Sequence, residues 1–212
     1  MNFSDLKKCD AYSTVYFGQY MIPNGTKPMS TFVIMPIEWI VAEIDEKNNR
    51  ALLISKYAVD WEGYADCPIL YTSYKTSWDE SYLRKWLNGE FYYDNFSSDE
   101  KNMIIPVYNS AKNSNEKRTI DKIFLLSKDE VSKYFHSESD AVLLLPMVDL
   151  VDSDDGKHEL NHITYPKIDW WTRTSGKTND EVVCVNTRGR FIDMGSGCDE
   201  VGVRPALWVK LH

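Results

Sequence analysis

The placement of two kinds of periodicity along the chain is the feature that most limits the folds open to it. Both ends show the alternation of β-strands, and the middle shows the spacing of α-helices. The strand-like segments are residues 12–20, 32–44 and 51–61 near the N-terminus, then 170–173, 181–186, 191–194 and 201–211. This order predicts an α+β domain in which the terminal strands share one antiparallel sheet around central helices.

Three helix-start signals lie in the middle of the chain, each a serine followed three residues later by a glutamate. They are Ser77 with Glu80, Ser97 with Glu100, and Ser127 with Glu130. After Ser77, apolar residues at helical spacing predict a helix over residues 78–88, with Gly89 closing it in a left-handed cap. The helices are therefore expected between the two groups of strands.

Residues 136–167 fit neither periodicity, because acidic and histidine residues interrupt the apolar ones. We predict a long irregular loop before the last strands, and loops of this length in compact domains are usually functional or mobile. The 136–168 segment and the 181–201 hairpin are therefore the expected ligand surface.

The acidic balance of the chain argues against nucleic acid as a partner. There are 24 Lys and Arg against 32 Asp and Glu, a formal charge of −8, and no stripe of basic residues that could displace counterions from phosphates. An apolar content of 43% and an aromatic content of 13% are enough to build a core. We expect a single domain over residues 1–212.

Hydropathy and cysteine content indicate the compartment. The longest apolar runs, 32–37 and 141–148, are far shorter than the roughly 20 residues that cross a bilayer, so no membrane span is predicted. The N-terminus lacks the apolar core of a secretory signal, which predicts a cytoplasmic protein, and a surface or secreted one only if a leader has been removed. The four cysteines show no C-x-x-C spacing and are predicted to be free thiols.

Seven short blocks occur in one order along roughly residues 15–210. They are FGQY (17–20), IEW (37–39), ALLIS (51–55), SYLRKWLN (81–88), FLLS (124–127), WWTR (170–173) and GVRPALW (202–208). Together they resemble an uncharacterised bacterial family of the domain-of-unknown-function type. More distantly, their order is similar to the C-type-lectin-like fold of formylglycine-generating enzymes and retroelement variable proteins. That resemblance implies a ligand surface built from the long loop and the late strands, and it implies no activity.

The HELNH motif at residues 158–162 has the HExxH form. On a helix, His158 and His162 would share a face and ligate zinc, with Glu159 as the base for a bound water. The acidic residues just before the motif and the proline shortly after it are instead typical of a solvated polar loop. The loop is the favoured interpretation, and the zinc site is kept as its alternative.

A second candidate for a metal is the acidic run Asp149, Asp152, Asp154 and Asp155. Closely spaced carboxylates on a flexible turn suit calcium, which prefers oxygen ligands. The spacing is not that of an EF-hand, and a charge cluster on a surface loop is the commoner explanation.

The late strands carry Trp170, Trp171 and Arg173, which would form a platform for a sugar or another planar ligand. Core packing competes with that interpretation, because adjacent residues on a strand face opposite sides. Arg173 is expected, like Arg84 and Arg204, to be a buried hydrogen-bond hub rather than a ligand clamp.

Cys184 and Cys198 lie on late strands separated by a predicted hairpin. A redox or copper-binding pair is one interpretation of this placement, and inert packing is the commoner one for a buried cysteine.

The leading hypothesis is a non-catalytic recognition module for a protein or glycan, with no cofactor. Its predicted ligand-binding residues are Trp170, Arg188, Asp152 and Asp154. The alternative is a zinc-dependent hydrolase that uses His158, Glu159 and His162. The sequence predicts nothing about the oligomeric state.

Overall fold

A computed structural model describes residue 6 and residues 11–23, 32–60, 77–109, 117–152, 158–198 and 201–211. Its strands are β1 (Thr14–Pro23), β2 (Phe32–Asp45), β3 (Arg50–Ser55), β4 (Ile104–Ile105), β5 (Val107–Asn109), β6 (Thr119–Asp121), β7 (Phe124–Leu125), β8 (Leu143–Leu144), β9 (Met147–Asp152), β10 (His158–Thr164), β11 (Lys167–Ile168), β12 (Trp170–Ser175), β13 (Glu181–Val185), β14 (Phe191–Gly195) and β15 (Pro205–Lys210). The helices are α1 (Tyr82–Asn88), α2 (Glu90–Asn95), α3 (Ser98–Met103), α4 (Lys128–Tyr134) and α5 (Glu138–Ala141).

The main sheet joins the two ends of the chain. Its strand order is β1-β2-β3-β15-β4, with β7 also paired to β15, and all of these pairs are antiparallel. Leu207 of the last strand lies opposite Leu53 of β3. The sheet is curled into a half-barrel. The predicted α+β class, the shared antiparallel sheet and the central position of the helices are therefore confirmed.

Strands in the middle of the fold are covered on both faces. Residues 51–55 of β3 are all buried, which explains their continuous apolar run in the sequence. In β12, the adjacent Trp170 and Trp171 point to opposite faces, and both are fully buried. β12 pairs with β13, which pairs with β14, so the predicted late hairpin is also present.

Two of the three helix-start signals form complete capping boxes. Ser97 and Glu100 cap α3, and Ser127 and Glu130 cap α4, with both reciprocal hydrogen bonds made in each case. The Ser77 signal begins only a short 3₁₀ turn over residues 78–80. The cap of α1 is Ser81 instead, whose hydroxyl accepts from the backbone N–H of Arg84. A helix starting at residue 78 was therefore the wrong boundary.

Gly89 ends α1 without the predicted left-handed conformation, since its φ is −107°. A Cβ atom at this position would lie 2.8 Å from the carbonyl oxygen of Lys85. The glycine is thus required because any side chain here would collide with the Lys85 carbonyl of α1, and not because of a positive φ.

The segment predicted as a long irregular loop is mostly ordered into short elements, so that prediction was wrong. Residues 136–168 contain α5, β8 and β11 together with the antiparallel hairpin of β9 and β10. The strand period is hidden in the sequence for two reasons: acidic residues interrupt the apolar ones, and a bulge between Leu160 and His162 shifts the alternation by one residue.

Buried polar hubs connect the small elements to the sheet. The fully buried carboxylate of Asp121 accepts from Arg84 Nε at 2.6 Å, Trp78 Nε1 at 2.9 Å, Asn109 Nδ2 at 2.7 Å and Thr119 Oγ1. These contacts tie the β5–β6 hairpin to the start of α1. An ionised carboxylate tolerates such burial only when it is paired and hydrogen-bonded, as it is here.

The other two arginines also act as hubs. Arg173 pairs with both carboxylate oxygens of Glu130, one at 2.8 Å from Nη2. Arg204 is fully buried, donates from Nε to the Ser55 carbonyl at 3.0 Å, and lies 4.3 Å from the Phe135 ring centroid. Burial lowers the pKa of Arg204 to about 9. The three arginines therefore have the structural role that the sequence predicted.

The helices in the described ranges have four to seven residues. None of them is long and apolar enough to span a bilayer.

Candidate functional site

A groove lined by tyrosines and aliphatic side chains is a candidate for a ligand site. We call it the tyrosine groove. Its cavity volume is about 40 Å³, and it opens to solvent. Its lining residues are Tyr20, Ile22, Met35, Pro36, Ile37, Glu38, Tyr57, Ala58, Val59, Pro146 and Tyr165. They come from β1, from β2, from the chain just after β3, and from the two residues that flank the β9–β10 hairpin.

The β1–β2 wall of the groove depends on a bulge in β1. The register between the two strands shifts between Tyr16 and Gln19, and Gly18 takes a positive φ of 74° there. Beyond the bulge, Tyr20 lies directly opposite Met35. Directly opposed residues share a face of the sheet, so Tyr20 and Met35 line the groove together, and Ile22 follows on the same face.

The opposite wall is held by backbone hydrogen bonds. The Ala58 N–H donates to the Leu144 carbonyl at 2.9 Å, and the Leu145 N–H donates to the Pro166 carbonyl at 2.9 Å. These bonds bring the chain after β3 against both ends of the β9–β10 hairpin. As a result, the rings of Tyr57 and Tyr165 lie 5.0 Å apart between centroids, tilted by 34°.

Charged groups lie at the rim. Lys56 Nζ donates to Glu38 Oε2 at 2.9 Å and lies 5.1 Å from the centroid of the Tyr57 ring. The hydrogen bond to Glu38 raises the pKa of Lys56. On the other side, the Tyr20 hydroxyl donates to Asp60 Oδ2 at 2.7 Å. The rim thus carries the ion pair of Lys56 and Glu38, whereas the carboxylate of Asp60 is buried.

Burial raises the pKa of Tyr165, with smaller contributions from Tyr57 and Glu38. Tyr165 is nevertheless 40% exposed, so its ring is both in contact with the groove and accessible to a ligand. The lining holds no serine, cysteine or histidine that could act as a nucleophile or as a proton-transfer group near neutral pH. The lining combines apolar surface and aromatic rings with a few charges at the edge, a composition common in ligand sites.

Trp170, the aromatic residue predicted to bind ligand, is not at a surface. Its ring is fully buried, and its Nε1 donates to the Ala141 carbonyl at 2.9 Å. The Phe135 ring and the Arg204 guanidinium pack against it. A platform of Trp170, Trp171 and Arg173 is therefore not available to a ligand, and the competing prediction of core packing is confirmed.

Arg188 is exposed in the turn between β13 and β14, where its backbone N–H donates to Asn186 Oδ1. The neighbouring Gly189 and Arg190 line an open cleft together with residues of α4 and α5. The two segments expected to form a ligand surface, 136–168 and 181–201, do meet there. The cleft is bridged by the exposed ion pair between Arg190 and Glu138 at 3.0 Å.

The HELNH residues lie on strand β10, not on a helix. Residues four apart are about 13 Å apart along a strand but about 6 Å apart along a helix. The strand therefore lacks the spacing on which the zinc hypothesis for His158, Glu159 and His162 depended.

Of the two acidic residues predicted to bind a ligand, Asp152 and Asp154, the structure describes one. Asp152 ends β9 opposite His158, and Asp154 lies outside the described residues. In the part of the chain that the structure describes, no group of three histidine, cysteine or carboxylate side chains could hold a metal ion.

The two late cysteines differ in their surroundings. Cys184 is buried and Cys198 is exposed, and both are free thiols. Burial raises the pKa of the Cys184 thiol, which disfavours the reactive thiolate. Cys9 and Cys67 lie outside the described residues.

The tyrosine groove was not predicted from the sequence. Tyr20, Tyr57 and Tyr165 lie far apart in the chain: Tyr20 is inside β1, Tyr57 follows β3, and Tyr165 follows β10. The one local signal is the Tyr165-Pro166 pair, and proline is common at turns.

A family model described as a domain of unknown function (DUF6273) matches residues 48–211, roughly three quarters of the chain. No curated protein and no solved structure matches the chain. The matched range includes Tyr57, Pro146 and Tyr165, whereas β1 and β2, which form the other wall of the groove, precede it.

Proposed function

The chain belongs to the DUF6273 family of domains of unknown function, and we propose that it is a non-catalytic recognition module that binds a protein or glycan in the tyrosine groove. One observation carries the proposal. Three tyrosines from three separate segments converge on a single apolar groove whose rim is charged. Concave apolar sites with a few placed polar groups are the usual form of ligand sites.

The energetics of the groove are suited to binding. Tyrosine rings bury a large area at a low cost in side-chain entropy, and their hydroxyls keep a polar contact at the edge. The walls are held by main-chain hydrogen bonds, so the site exists before any ligand arrives. A preformed groove loses little entropy on binding, which favours affinity.

We further propose that the domain has the C-type-lectin-like arrangement. The supporting features are the pairing of the last strand with β3 in one sheet, the central helices and the late three-stranded sheet of β12, β13 and β14. An experimental structure compared with lectin-like domains would test this, and a different strand connectivity would overturn it.

The site itself is tested by comparing the wild-type protein with Tyr57→Ala and Tyr165→Ala in a glycan array and in pull-downs followed by identification of the bound protein. The matched control is Tyr108→Ala, because Tyr108 is 77% exposed on β5 and lies outside the groove lining. We expect a ligand that both groove variants lose and the control keeps. A ligand retained by the groove variants would overturn the assignment of the site.

The zinc-hydrolase alternative is tested on the same preparations. Elemental analysis of protein without a histidine tag, with His158→Ala/His162→Ala as control, would show one zinc per chain if that alternative were correct. Stoichiometric zinc lost in the double variant, with hydrolysis lost in Glu159→Gln, would replace the recognition proposal.

A further inference from the structure

We infer that the open cleft between α4, α5 and the β13–β14 turn binds a small aromatic acid, a molecule that joins a carboxylate or a phosphate to a planar ring. We call this cleft the Arg190 cleft. The residues that matter for the inference are Phe135, His136 and Glu138 on one side and Gly189, Arg190 and Phe191 on the other. The inference concerns a second site and does not depend on the function proposed for the tyrosine groove.

The Arg190 cleft is large enough for a ring, and its walls are held by the backbone. Its cavity volume is about 430 Å³, within the range of about 300–1,000 Å³ that is usual for sites of small ligands. The turn packs so closely on α5 that a Cβ atom at Gly189 would overlap the Glu138 carbonyl oxygen. The Gly189 N–H donates to the Asn186 carbonyl at 2.8 Å, which closes the turn. Both walls are therefore in place before a ligand binds.

Arg190 offers two donors to an oxyanion. Its Nε donates to both carboxylate oxygens of Glu138, at 3.0 Å each. Within the residues that the structure describes, neither Nη atom of Arg190 donates to a protein group. The paired N–H groups of a guanidinium match a carboxylate or a phosphate in a bidentate contact. An acid in the cleft would therefore bind Arg190 without displacing Glu138.

A second cation lies beneath the cleft. The buried guanidinium of Arg204 lies 4.3 Å from the centroid of the Phe135 ring, and its Nη1 donates to the Ala141 carbonyl at 3.4 Å. Phe135 and Ala141 both line the cleft. Burial lowers the pKa of Arg204 only to about 9, so it stays charged near neutral pH. In the described part of the chain no carboxylate pairs with Arg204, and an oxyanion in the cleft would supply the missing negative charge.

The surroundings of the cleft are basic although the chain as a whole is acidic. Lys128 Nζ lies 5.1 Å from the centroid of the Phe191 ring, and Arg188 is exposed in the same turn as Arg190. Glu138 is the one carboxylate among the described lining residues. The formal charge of the whole chain is −8, so this local surplus of cations favours an anionic ligand at this place.

Two phenylalanine rings favour a planar ligand. Phe135 and Phe191 line the cleft and are half-buried, so each keeps ring surface for an aromatic contact. The serine hydroxyls of the lining already have partners: Ser132 Oγ donates to the Lys128 carbonyl, and Ser137 Oγ lies 2.7 Å from Ser139 Oγ. A ligand with many hydroxyls would find few partners here, which favours a ring with one acidic group over a sugar.

The experiment measures the binding of small molecules to the full chain by NMR titration of ¹⁵N-labelled protein. The aromatic acids are benzoate, indole-3-acetate and phenyl phosphate. Benzamide is the neutral match, and acetate and inorganic phosphate are the oxyanions without a ring. We expect at least one aromatic acid to bind with a dissociation constant on the order of 1 mM or below, as is usual for about ten atoms, and to shift the amide signals of residues 135–141 and 188–191. The tighter of the carboxylates and the phosphate identifies the oxyanion.

Two variants break the same ion pair and should change binding in opposite directions. Arg190→Gln removes the guanidinium and should weaken binding about tenfold. Glu138→Gln removes the carboxylate that repels an acid and should tighten binding about twofold. A purely structural role of the pair would move both variants the same way. Arg118→Gln is the matched control, because Arg118 is exposed before β6 and outside the cleft lining, and it should bind like wild type.

The ring contact and the charge are tested separately. Phe191→Leu keeps most of the apolar volume but loses the ring, and it should weaken binding about threefold. Raising the salt concentration from about 50 to about 300 mM should weaken binding several-fold, since salt screens the cations around the cleft. Circular dichroism of each variant shows that a loss of binding is not a loss of the fold.

Four results would overturn the inference. They are benzamide binding as tightly as benzoate, acetate or inorganic phosphate binding as tightly as the acids with a ring, amide shifts confined to residues outside the cleft, and no binding of any of these molecules. Tyr57→Ala should bind the aromatic acids like wild type, which keeps this test separate from that of the tyrosine groove.

Discussion

Two aromatic regions of the molecule use similar rings for different purposes. The first, which we call the phenylalanine cluster, consists of Phe17, Phe91, Phe96 and Trp39. All four are buried, and Phe96 lies 5.3 Å from Phe17, 5.9 Å from Phe91 and 6.4 Å from Trp39 between centroids. The second is the tyrosine groove, whose paired rings of Tyr57 and Tyr165 remain partly exposed.

The difference shows how the hydroxyl decides the role of a ring. Phenylalanine has no polar group, so it is most stable when every side contacts other apolar atoms. Tyrosine must keep its hydroxyl hydrogen-bonded or hydrated, which leaves one edge of the ring near water. Tyr20 joins the two regions, because its ring lies 5.7 Å from Phe91 while its hydroxyl donates to Asp60.

The largest expected effect is in the phenylalanine cluster. Phe91→Ala should lower the free energy of unfolding by about 3–5 kcal/mol, because it removes a buried ring and leaves a cavity. Urea unfolding followed by tryptophan fluorescence measures this change. Phe91→Leu is the control and should cost less than about 1.5 kcal/mol, since it fills most of the space. A cost below about 1 kcal/mol for the alanine variant would mean that the cluster is not a packed core.

A substitution of Gly18, in the β-bulge between the two regions, should give the next largest loss of stability. Gly18 has a positive φ, and a Cβ there would lie 2.7 Å from Phe96 Cε1 and 2.8 Å from the Asn95 carbonyl oxygen. Gly18→Ala should therefore destabilise the protein by about 1–3 kcal/mol through strain and crowding. Gly197→Ala is the control, because no atom lies within 4 Å of its added Cβ. Equal unfolding curves for the two variants would contradict the role of the bulge.

Tyr20→Phe tests the residue that belongs to both regions. The ring contact with Phe91 is kept, but the buried carboxylate of Asp60 loses one donor. We expect a loss of about 1.5 kcal/mol in chemical denaturation, the lower end of the range for a hydrogen bond to a charged group. Tyr16→Phe, on the exposed face of the same strand, should stay within about 0.5 kcal/mol of wild type. If Tyr20→Phe left the free energy of unfolding unchanged, the ring alone would hold the groove wall.

The smallest effect is a pH dependence in the groove. The pKa of Tyr165 is raised in the folded protein, so the folded state holds this proton more tightly than the unfolded state does. Its contribution to stability is present below the usual tyrosine value near pH 10 and is lost as the pH rises through the folded-state pKa. Spectrophotometric titration of wild type and Tyr165→Phe should show that the missing tyrosine titrates above pH 10. If the tyrosine that is absent from the Tyr165→Phe curve had a pKa at or below about 10, the burial of this ring would be contradicted.

Much of the fold could be predicted because its signals are local. Strand alternation located both ends of the main sheet and the late hairpin, and the serine–glutamate pairs at Ser97 and Ser127 marked the starts of two helices. Each of these signals depends on side chains within a few residues of one another, as capping and periodicity do. The helix start predicted at Ser77 was wrong for an equally local reason, because Ser81 offers a competing cap four residues later.

The candidate site could not be predicted in this way. The β9–β10 hairpin was hidden by a bulge and by polar residues, and Trp170 gave an aromatic signal without showing which side of its strand was covered. Burial of Trp170 depends on Phe135 and Arg204, which are distant in sequence.

The sequence by itself determined the class of the fold, the strands at both ends of the chain, the starts of α3 and α4, and the buried role of the arginines, because periodicity and capping act between neighbouring residues. Only the tertiary structure decided which aromatic residues face a ligand. The tyrosine groove requires the bulge at Gly18 and the backbone bonds from Ala58 and Leu145, which bring Tyr20, Tyr57 and Tyr165 together. The bond from Ala58 to Leu144 alone joins positions 86 residues apart, and no local pattern records such contacts.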